Sequence, residues 1–454
     1  MRPILILSLP LALSACAVGP AYQVPSTAAP AAFKEAAGWI PAAPADTLER
    51  GPWWTLFNDP LLNDLAQQVE VSNQNVAAAV ASYAQARAMV QEQRASLFPS
   101  VGLSANAERS DSKNNYRLNI GTSWEPDIWG RLKAGVSSAK AGQQASAADL
   151  AAARLSAQGE LAVNYFQLRQ SDAQQALLAT TIAGYQRVAQ ITKNRFEAGI
   201  AAKSDLLQAQ TQLANAQVDA LTMTRQRAEL EHAIAILVGK APADFSLAPA
   251  TWQASVPEVP VGVPSTLLQR RPDIAAAERH VAAANAQIGI ARAAYYPNIG
   301  LSASAGTGGS KVGDLFNASN LLWSFGVSVA QSIFNGGATR AHVAGAEAQH
   351  QAAVARYRQS VLDAFGDVEN QLSATRVLAQ QQALRLQASQ AADQVEEQML
   401  HRYQAGQVSY TEVVQAQSTA LSARRALVQL QADRQTTAVA LIQSLGGGWK
   451  ASLE

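Results

Sequence analysis

Two stretches of this chain are near copies of each other, and together they limit what it can fold into. Arg195 to Gln210 reads Arg-Phe-Glu-Ala-Gly-Ile-Ala-Ala-Lys-Ser-Asp-Leu-Leu-Gln-Ala-Gln. Arg402 to Gln417 reads Arg-Tyr-Gln-Ala-Gly-Gln-Val-Ser-Tyr-Thr-Glu-Val-Val-Gln-Ala-Gln in the same register. Each reads as a helix ending, a tight turn and a new helix. Gly199 and Gly406 suit the left-handed position after a helix C-terminus. Arg195 and Arg402 fall in the last turn before it, where a cation meets the negative end of the helix dipole. Ser204 and Thr411 are expected as N-caps, with Asp205 and Glu412 in the first turn that follows. The chain is therefore one helical-hairpin unit made twice, and this repeat overrides the domain count that 454 residues would suggest.

The flanks of the tips show how long the hairpins are. Residues 131–198 and 338–405 are equal in length and free of proline. In the first, Leu161, Tyr165 and Leu168, then Leu178, Ile182, Tyr185 and Ala189, step by four and three, a coiled-coil-like seam. Val354, Val361, Phe365, Val368 and Leu372 form the second seam. A continuous helix of this length runs roughly 100 Å, more than a compact domain uses. Gly142, Gly159 and Gly184 are places where the first could be interrupted. Each hairpin returns as a second helix, so that the hairpins cover 131–238 and 338–445.

Between helices lie stretches of period two. From Ser100, Val101, Leu103, Ala105 and Ala107 alternate with Gly102, Ser104, Asn106 and Glu108. From Arg117, Leu118, Ile120, Thr122 and Trp124 alternate with Asn119, Gly121 and Ser123. The second copy repeats this at Asn298 to Ala305 and at Trp323, Phe325, Val327 and Val329, with a Gly-rich loop expected from Gly306 to Asp314. Strands are thus expected over about 100–109, 116–125, 298–306 and 321–332. Ten residues with one apolar face is the pattern of a membrane β-strand; period alone equally fits a soluble hairpin with one wet face. A helix is expected from Leu61 to Ala95 and another from Ser265 to Ala293, each stopped by a proline, Pro99 and Pro297. Four strands are too few to close a membrane barrel, and open edges in lipid cost several kcal/mol per unpaired group. If these are membrane strands, chains must pool them, along with their helical hairpins.

The N-terminus carries an address. Arg2, the apolar run Ile4 to Leu13 and Leu13-Ser14-Ala15 precede Cys16, the only cysteine. The apolar run is too short to span a bilayer, and nothing after Cys16 approaches a spanning helix. Leu-Ser-Ala-Cys resembles the lipobox of bacterial lipoproteins. That resemblance implies a signal peptide of residues 1–15, acylation of Cys16 and, with Ala17 in place of a retaining Asp, delivery to the outer membrane. Residues 16–52 are rich in Pro and Ala and read as an extended lipid-anchored tether. Residues 53–240 form the first repeat, 241–264 a Pro-rich linker, 265–448 the second repeat and 449–454 a tail.

Other chemistry is hard to find. Net charge is +1, so no bulk field attracts nucleic acid, and charged residues are 15% against roughly 25% in ordinary soluble chains. His232, His280, His342, His350 and His401 lack zinc-site spacing, and Gly306 to Lys311 lacks the spacing of a phosphate loop. No enzyme, cofactor or metal is expected.

The whole pattern resembles the outer membrane factor family, the TolC-like channels of tripartite efflux pumps, in its lipoprotein subgroup. The motifs that carry this are Arg270-Arg271-Pro272-Asp273-Ile274-Ala275-Ala276-Ala277-Glu278, Ala283-Ala284-Asn285-Ala286-Gln287-Ile288-Gly289-Ile290-Ala291-Arg292, Trp124-Glu125-Pro126-Asp127-Ile128-Trp129-Gly130-Arg131 and Ser332-Ile333-Phe334-Asn335-Gly336-Gly337. The resemblance implies a mostly α fold with membrane β, a TolC-like α/β-barrel. In it a homotrimer pools four strands per protomer into a 12-strand outer-membrane barrel above a periplasmic α-barrel. A mixed belt would use residues near Trp53 to Pro60, the 240–264 linker and the C-terminus. The tips, Arg195 to Asp205 and Arg402 to Glu412, would meet a periplasmic adaptor that links to an inner-membrane pump of the RND type. Some relatives hold the aperture shut with an Asp and an Arg just past the second turn; here Gln415 and Ser418 stand at those places, so closure falls to hydrogen bonds and packing, including Tyr410. Asp205 and Glu412 would ring the aperture with negative charge, or merely serve their helix N-termini. The implied function is a passive exit duct for drugs, solvents or other small toxic compounds. A protein-secretion duct and a lipid-anchored coiled-coil scaffold without a pore remain the alternatives.

Overall fold

A computed structural model describes residues 18–36, 52–111, 113–252, 255–257, 259 and 270–447. Cys16, the signal peptide, most of 258–269 and the tail lie outside the described residues. Eleven elements follow in order: α1 (Pro60–Ser72), α2 (Gln74–Ala95), β1 (Ser100–Ser110), β2 (Lys113–Trp124), α3 (Arg131–Glu197), α4 (Lys203–Leu237), α5 (Pro272–Ala293), β3 (Asn298–Gly309), β4 (Leu321–Ala330), α6 (Ala338–Gln404) and α7 (Tyr410–Ser444). The two repeats match element for element: α3 and α6 each have 67 residues, and α4 and α7 each have 35. The glycines expected to interrupt α3 do not. Gly159 instead admits a neighbour, since a Cβ there would lie 1.8 Å from the Gln443 side chain, whose Nε2 donates to Leu155 O at 3.1 Å.

The chain divides into two units, and α3 and α6 each pass from one into the other. The first unit holds the sheet, α5 and the helix ends beside them. Its strands are antiparallel in the order β1-β2-β3-β4, with β1 and β4 as open edges. The strand bounds differ most from expectation at two ends, by three residues each, and β4 stops at Ala330, two residues early. β2 starts at Lys113, because the turn is tight at Asp111, which takes φ 43°. β3 runs on through Gly309, because the supposed loop glycines pair with β2, Gly306 against Asn119 and Gly309 against Tyr116. A Cβ on Gly306 would lie 2.7 Å from Leu118 O, so only glycine lets β2 come this close.

The motif after β2 turns the chain into α3. Asp127 accepts from the Leu132 and Lys133 N–H groups, both at 2.8 Å, and so caps α3. Glu125 pairs with Arg131 at 2.8 Å, and Trp129 stacks on Tyr296 at 4.8 Å while donating to Pro297 O. The described start of the tether is extended and fastened here, with Val18 N–H donating to Trp129 O at 3.3 Å and Asn285 Nδ2 to Pro20 O at 3.0 Å.

The second unit holds the hairpin tips and the middle of the long helices. Much of the expected seams lies in its core, with Leu161, Leu168, Leu178, Val368 and Leu372 fully buried, while Ile182 and Ala189 are only half-buried. The single helix expected over Leu61 to Ala95 is two helices broken at Asn73. That buried side chain accepts from Asn75 and Val76 N–H and donates to Leu237 O at 2.9 Å, so it starts α2 and ties off the end of α4 at once. Trp53, Trp54 and Phe57 are buried, with Phe57 4.8 Å from Phe166. Tyr165 donates to Asp59 at 2.6 Å, and Asp59 caps α1. Beyond α4 the Pro-rich segment is clipped to the helices rather than slack. Arg169 and Asp172, each 3% exposed, pair at 2.7 Å, and Arg227 pairs with Asp172 at 2.7 Å. Arg169 donates to Ala248 O, Arg227 to Leu247 O, and Leu247 N–H to Glu231. Trp252 Nε1 donates to Gln435 at 2.9 Å. Trp53 and this segment thus both fasten to α3, through Gln158 and Arg169.

Candidate functional site

The sheet has two unlike faces, and strand register assigns every residue to one of them. Leu103 pairs with Ile120, Ile120 with Ala305, and Ala305 with Trp323. One face therefore carries Val101, Leu103, Leu118, Ile120, Leu301, Trp323, Phe325, Val327 and Val329. The large side chains on its edge strands are open, with Leu103 73%, Trp323 78% and Phe325 67% exposed. The other face is small and polar: Ser100–Ser123–Ser302–Gly326 form one cross-strand row and Gly102–Gly121–Ser304–Ser324 the next. Hydroxyls bridge the strands there, Ser100 to Ser123 at 2.8 Å and Ser304 to Ser324 at 2.9 Å. An apolar face left bare on a four-stranded sheet with two open edges suits lipid on one side, more strands at each edge and water on the polar side. Among the described residues no helix is long and apolar enough to cross a membrane.

The tips come out as near-identical caps. Gly199 has φ +72° and Gly406 φ +73°. Gly199 N–H donates to Phe196 O and Ile200 N–H to Arg195 O; Gly406 N–H donates to Tyr403 O and Gln407 N–H to Arg402 O. Both are the paired closing bonds of a helix ended by a left-handed glycine. The arginines part company. Arg402 is exposed. Arg195 reaches across to the other hairpin, donating to Tyr403 O at 3.2 Å and Gln404 O at 3.1 Å, with its guanidinium 4.8 Å from the Tyr403 ring centre. It thus serves the C-terminus of α6, not only its own helix.

The N-cap expectation is corrected. Ser204 and Thr411 lie inside the first turns of α4 and α7, and the N-caps are Ala202 and Ser409. Each turn is two residues shorter than expected, so that at the second tip Ser409, not Thr411, stands at the cap. Ser204 Oγ instead faces Asp205 at 3.4 Å, and Thr411 Oγ1 faces Gln208 across the hairpins at 3.4 Å. Glu412 accepts from Ser409 N–H at 3.1 Å, the acidic half of a capping box. Asp205 is half-buried and Glu412 exposed, both in first turns as expected.

Tyr410 is a core residue of the tip. It is 2% exposed, packs with Val188, Ala209, Tyr403 and Val413 from all four hairpin helices, and sits 5.2 Å from the Tyr403 ring. Burial holds its phenol well above the usual value. Of the three aperture candidates only Gln415 and Ser418 are exposed. Sequence reasoning missed the Arg195 bridge, since nothing in a local motif tells a helix-dipole cation from one that bridges hairpins. It also missed the Arg169–Asp172–Arg227 cluster; its spacing of three between Arg169 and Asp172 matches the solvated pairs common on long helices. No group of His, Cys, Asp and Glu able to hold a metal occurs among the described residues.

The family model for outer membrane efflux proteins matches residues 65–240 and 263–447, the two repeats in turn. The chain belongs to that family. Its relatives include the pyoverdine export outer membrane protein OpmQ of Pseudomonas aeruginosa, 29% identical over 99% of this chain and 98% of that one. The toluene efflux pump outer membrane protein TtgC of Pseudomonas putida is 30% identical over 96% and 93%. The solved outer-membrane channel OprN superposes with a TM-score of 0.86 at 30% identity, over 96% of this chain and 100% of that one. The fold is thus that of the TolC-like channels, and the protein is an outer-membrane component of an efflux system. The family consists of channel proteins, whose work is to open a route rather than to make or break bonds.

Proposed function

We propose that three copies of this chain form the outer-membrane exit duct of a tripartite efflux pump, carrying small toxic compounds such as solvents, dyes or antibiotics to the exterior. The observation that carries this is the sheet: an exposed apolar face and two open edges on only four strands. Three such sheets give a barrel wide enough for a water-filled lumen, and the Ser/Gly face would line it. Domain limits follow the two repeats. Cys16, acylated after cleavage, is the anchor to the inner leaflet. The tips, with Arg195, Gly199, Ser204, Asp205, Arg402, Gly406, Thr411 and Glu412, meet a periplasmic adaptor, which links to a proton-driven inner-membrane pump of the RND type. Asp205 and Glu412, repeated by symmetry, give the aperture a mild preference for cations; Gln415 and Ser418 are the exposed groups beside it.

Names among the relatives support a small-molecule cargo: pyoverdine in one, toluene in another. Deleting the gene tests it. Lower tolerance to solvents, dyes or antibiotics, restored by the gene in trans, is expected. Unchanged tolerance with loss of a secreted protein would contradict it. In planar bilayers the Asp205→Asn, Glu412→Gln double variant is expected to lose cation preference; unchanged selectivity would contradict the charge ring.

A further inference from the structure

The polar face of the sheet changes character along its length. The four helices next to strands in the chain, α2, α3, α5 and α6, join the sheet at one end, through residues 95–100, 124–131, 293–298 and 330–338, and the β1–β2 turn lies at the other. From the helix end outward, the first full cross-strand rows are Ser and Gly only. The next row is Ser104–Asn119–Gly306–Leu322, and the one after it holds Asn106, Arg117 and Gly308. Leu322 is the single large apolar residue on this face among the described residues, and it is 74% exposed. It sits one row from Arg117, which is exposed too. A Cβ on Gly308 would lie 3.4 Å from Arg117 Cγ, so the glycine leaves room for the arginine stem to lie along the face. Ser104, Asn106, Arg117, Asn119, Leu322 and Ser324 line one shallow cleft. Further out on the same face stand Glu108 and then Lys113, so its charge sums to one positive per chain.

A leucine 74% exposed on a water-lined wall gains nothing from burial in this sheet. Side chains that lengthen from Ser and Gly to Leu, Asn and Arg narrow a lumen over two rows. We infer that Leu322 and Arg117 form a collar at the outer end of the channel, Leu322 setting its width and Arg117 its charge. Arg117 is then a specificity-determining residue that favours anionic compounds at the exit. This rests on the shared-barrel reading, which brings the collars of several chains around one axis. With an aperture at the tips that is negative, the duct would be polarised, its two ends carrying opposite rings.

The local charge can be read without interference from the tips. Leu322→Cys gives a thiol at the collar in a chain whose sole native cysteine is Cys16. On intact cells, its reaction rates with a sulfonate-bearing and a trimethylammonium-bearing methanethiosulfonate are compared, with and without Arg117→Gln. Nearby cations should speed the anionic reagent and slow the cationic one, and the rate ratio should fall about fivefold when Arg117 is neutralised near 0.1 M salt. An unchanged ratio, or a thiol that neither reagent reaches, would overturn the inference. A heat-sensitive oligomer on an unboiled gel checks the shared barrel separately: its loss in the wild type counts against that reading, its presence with an unchanged ratio against the collar. As a second measure, Arg117→Glu should shift the reversal potential of the purified channel towards cations relative to wild type, and no shift on either salt side would also overturn it.

Discussion

Tyr165 shows how one side chain couples layers of the structure. Its hydroxyl donates to Asp59, whose carboxylate also caps α1. Burial, and then that hydrogen bond, push its pKa up to about 12. The neutral phenol is the form the fold favours. Stability from this site is therefore complete below the unfolded value near 10 and drains as pH rises from about 10 to 12. Tyr165→Phe should lower stability at pH 7 by about 1 kcal/mol and flatten the loss above pH 10; thermal unfolding followed by circular dichroism between pH 7 and 12 checks both. Arg195 matters differently, because its bonds cross between hairpins. Arg195→Ala should loosen the tip by about 1–2 kcal/mol and raise the frequency of open events in single-channel recordings. Arg195→Lys should recover only part of the closure, since a lysine cannot span two carbonyls with one planar fork. Equal opening in all three proteins would show that the bridge does not hold the tip.

Among elements, what was legible in the sequence was what depends on period or on a backbone need. Val101, Leu103, Phe325 and Val327 announce strands because period two puts them on one face, and Gly199 and Gly406 announce turns because only glycine accepts positive φ cheaply. What stayed hidden depends on distant partners. Asn73 breaks a helix because Leu237 O, far along the chain, needs a donor. Gly306 to Gly309 look like a loop until β2 lies beside them. The Ser204 and Thr411 hydroxyls are good caps by type and were displaced by turn length alone. The buried Arg169–Asp172 pair uses a spacing seen on any solvated helix. Removing one partner of such a pair leaves the other charge stranded. Asp172→Ala should cost about 3–5 kcal/mol and free the 245–255 segment, seen as faster proteolytic cleavage there. The sheet offers a paired test. Phe325→Lys places a charge on the lipid face, worth about 2–4 kcal/mol against assembly at the bilayer centre; Ser324→Lys, one residue away on the polar face, should assemble normally. Equal yields of membrane-assembled protein would contradict the assignment of faces.

At the scale of the whole molecule, duplication explains the economy of the design. Each repeat supplies two strands and one long hairpin, and α3 and α6 match in length. A single chain still leaves β1 and β4 unpaired and an apolar face bare. Such edges are not stable in lipid, and the proposed trimer would pair them. Native mass spectrometry of the detergent-extracted protein measures this directly. Three copies of the chain, held together until boiling, are expected. A stable single chain, with Phe325 and Leu103 open to water-soluble reagents in the membrane, would contradict the trimer.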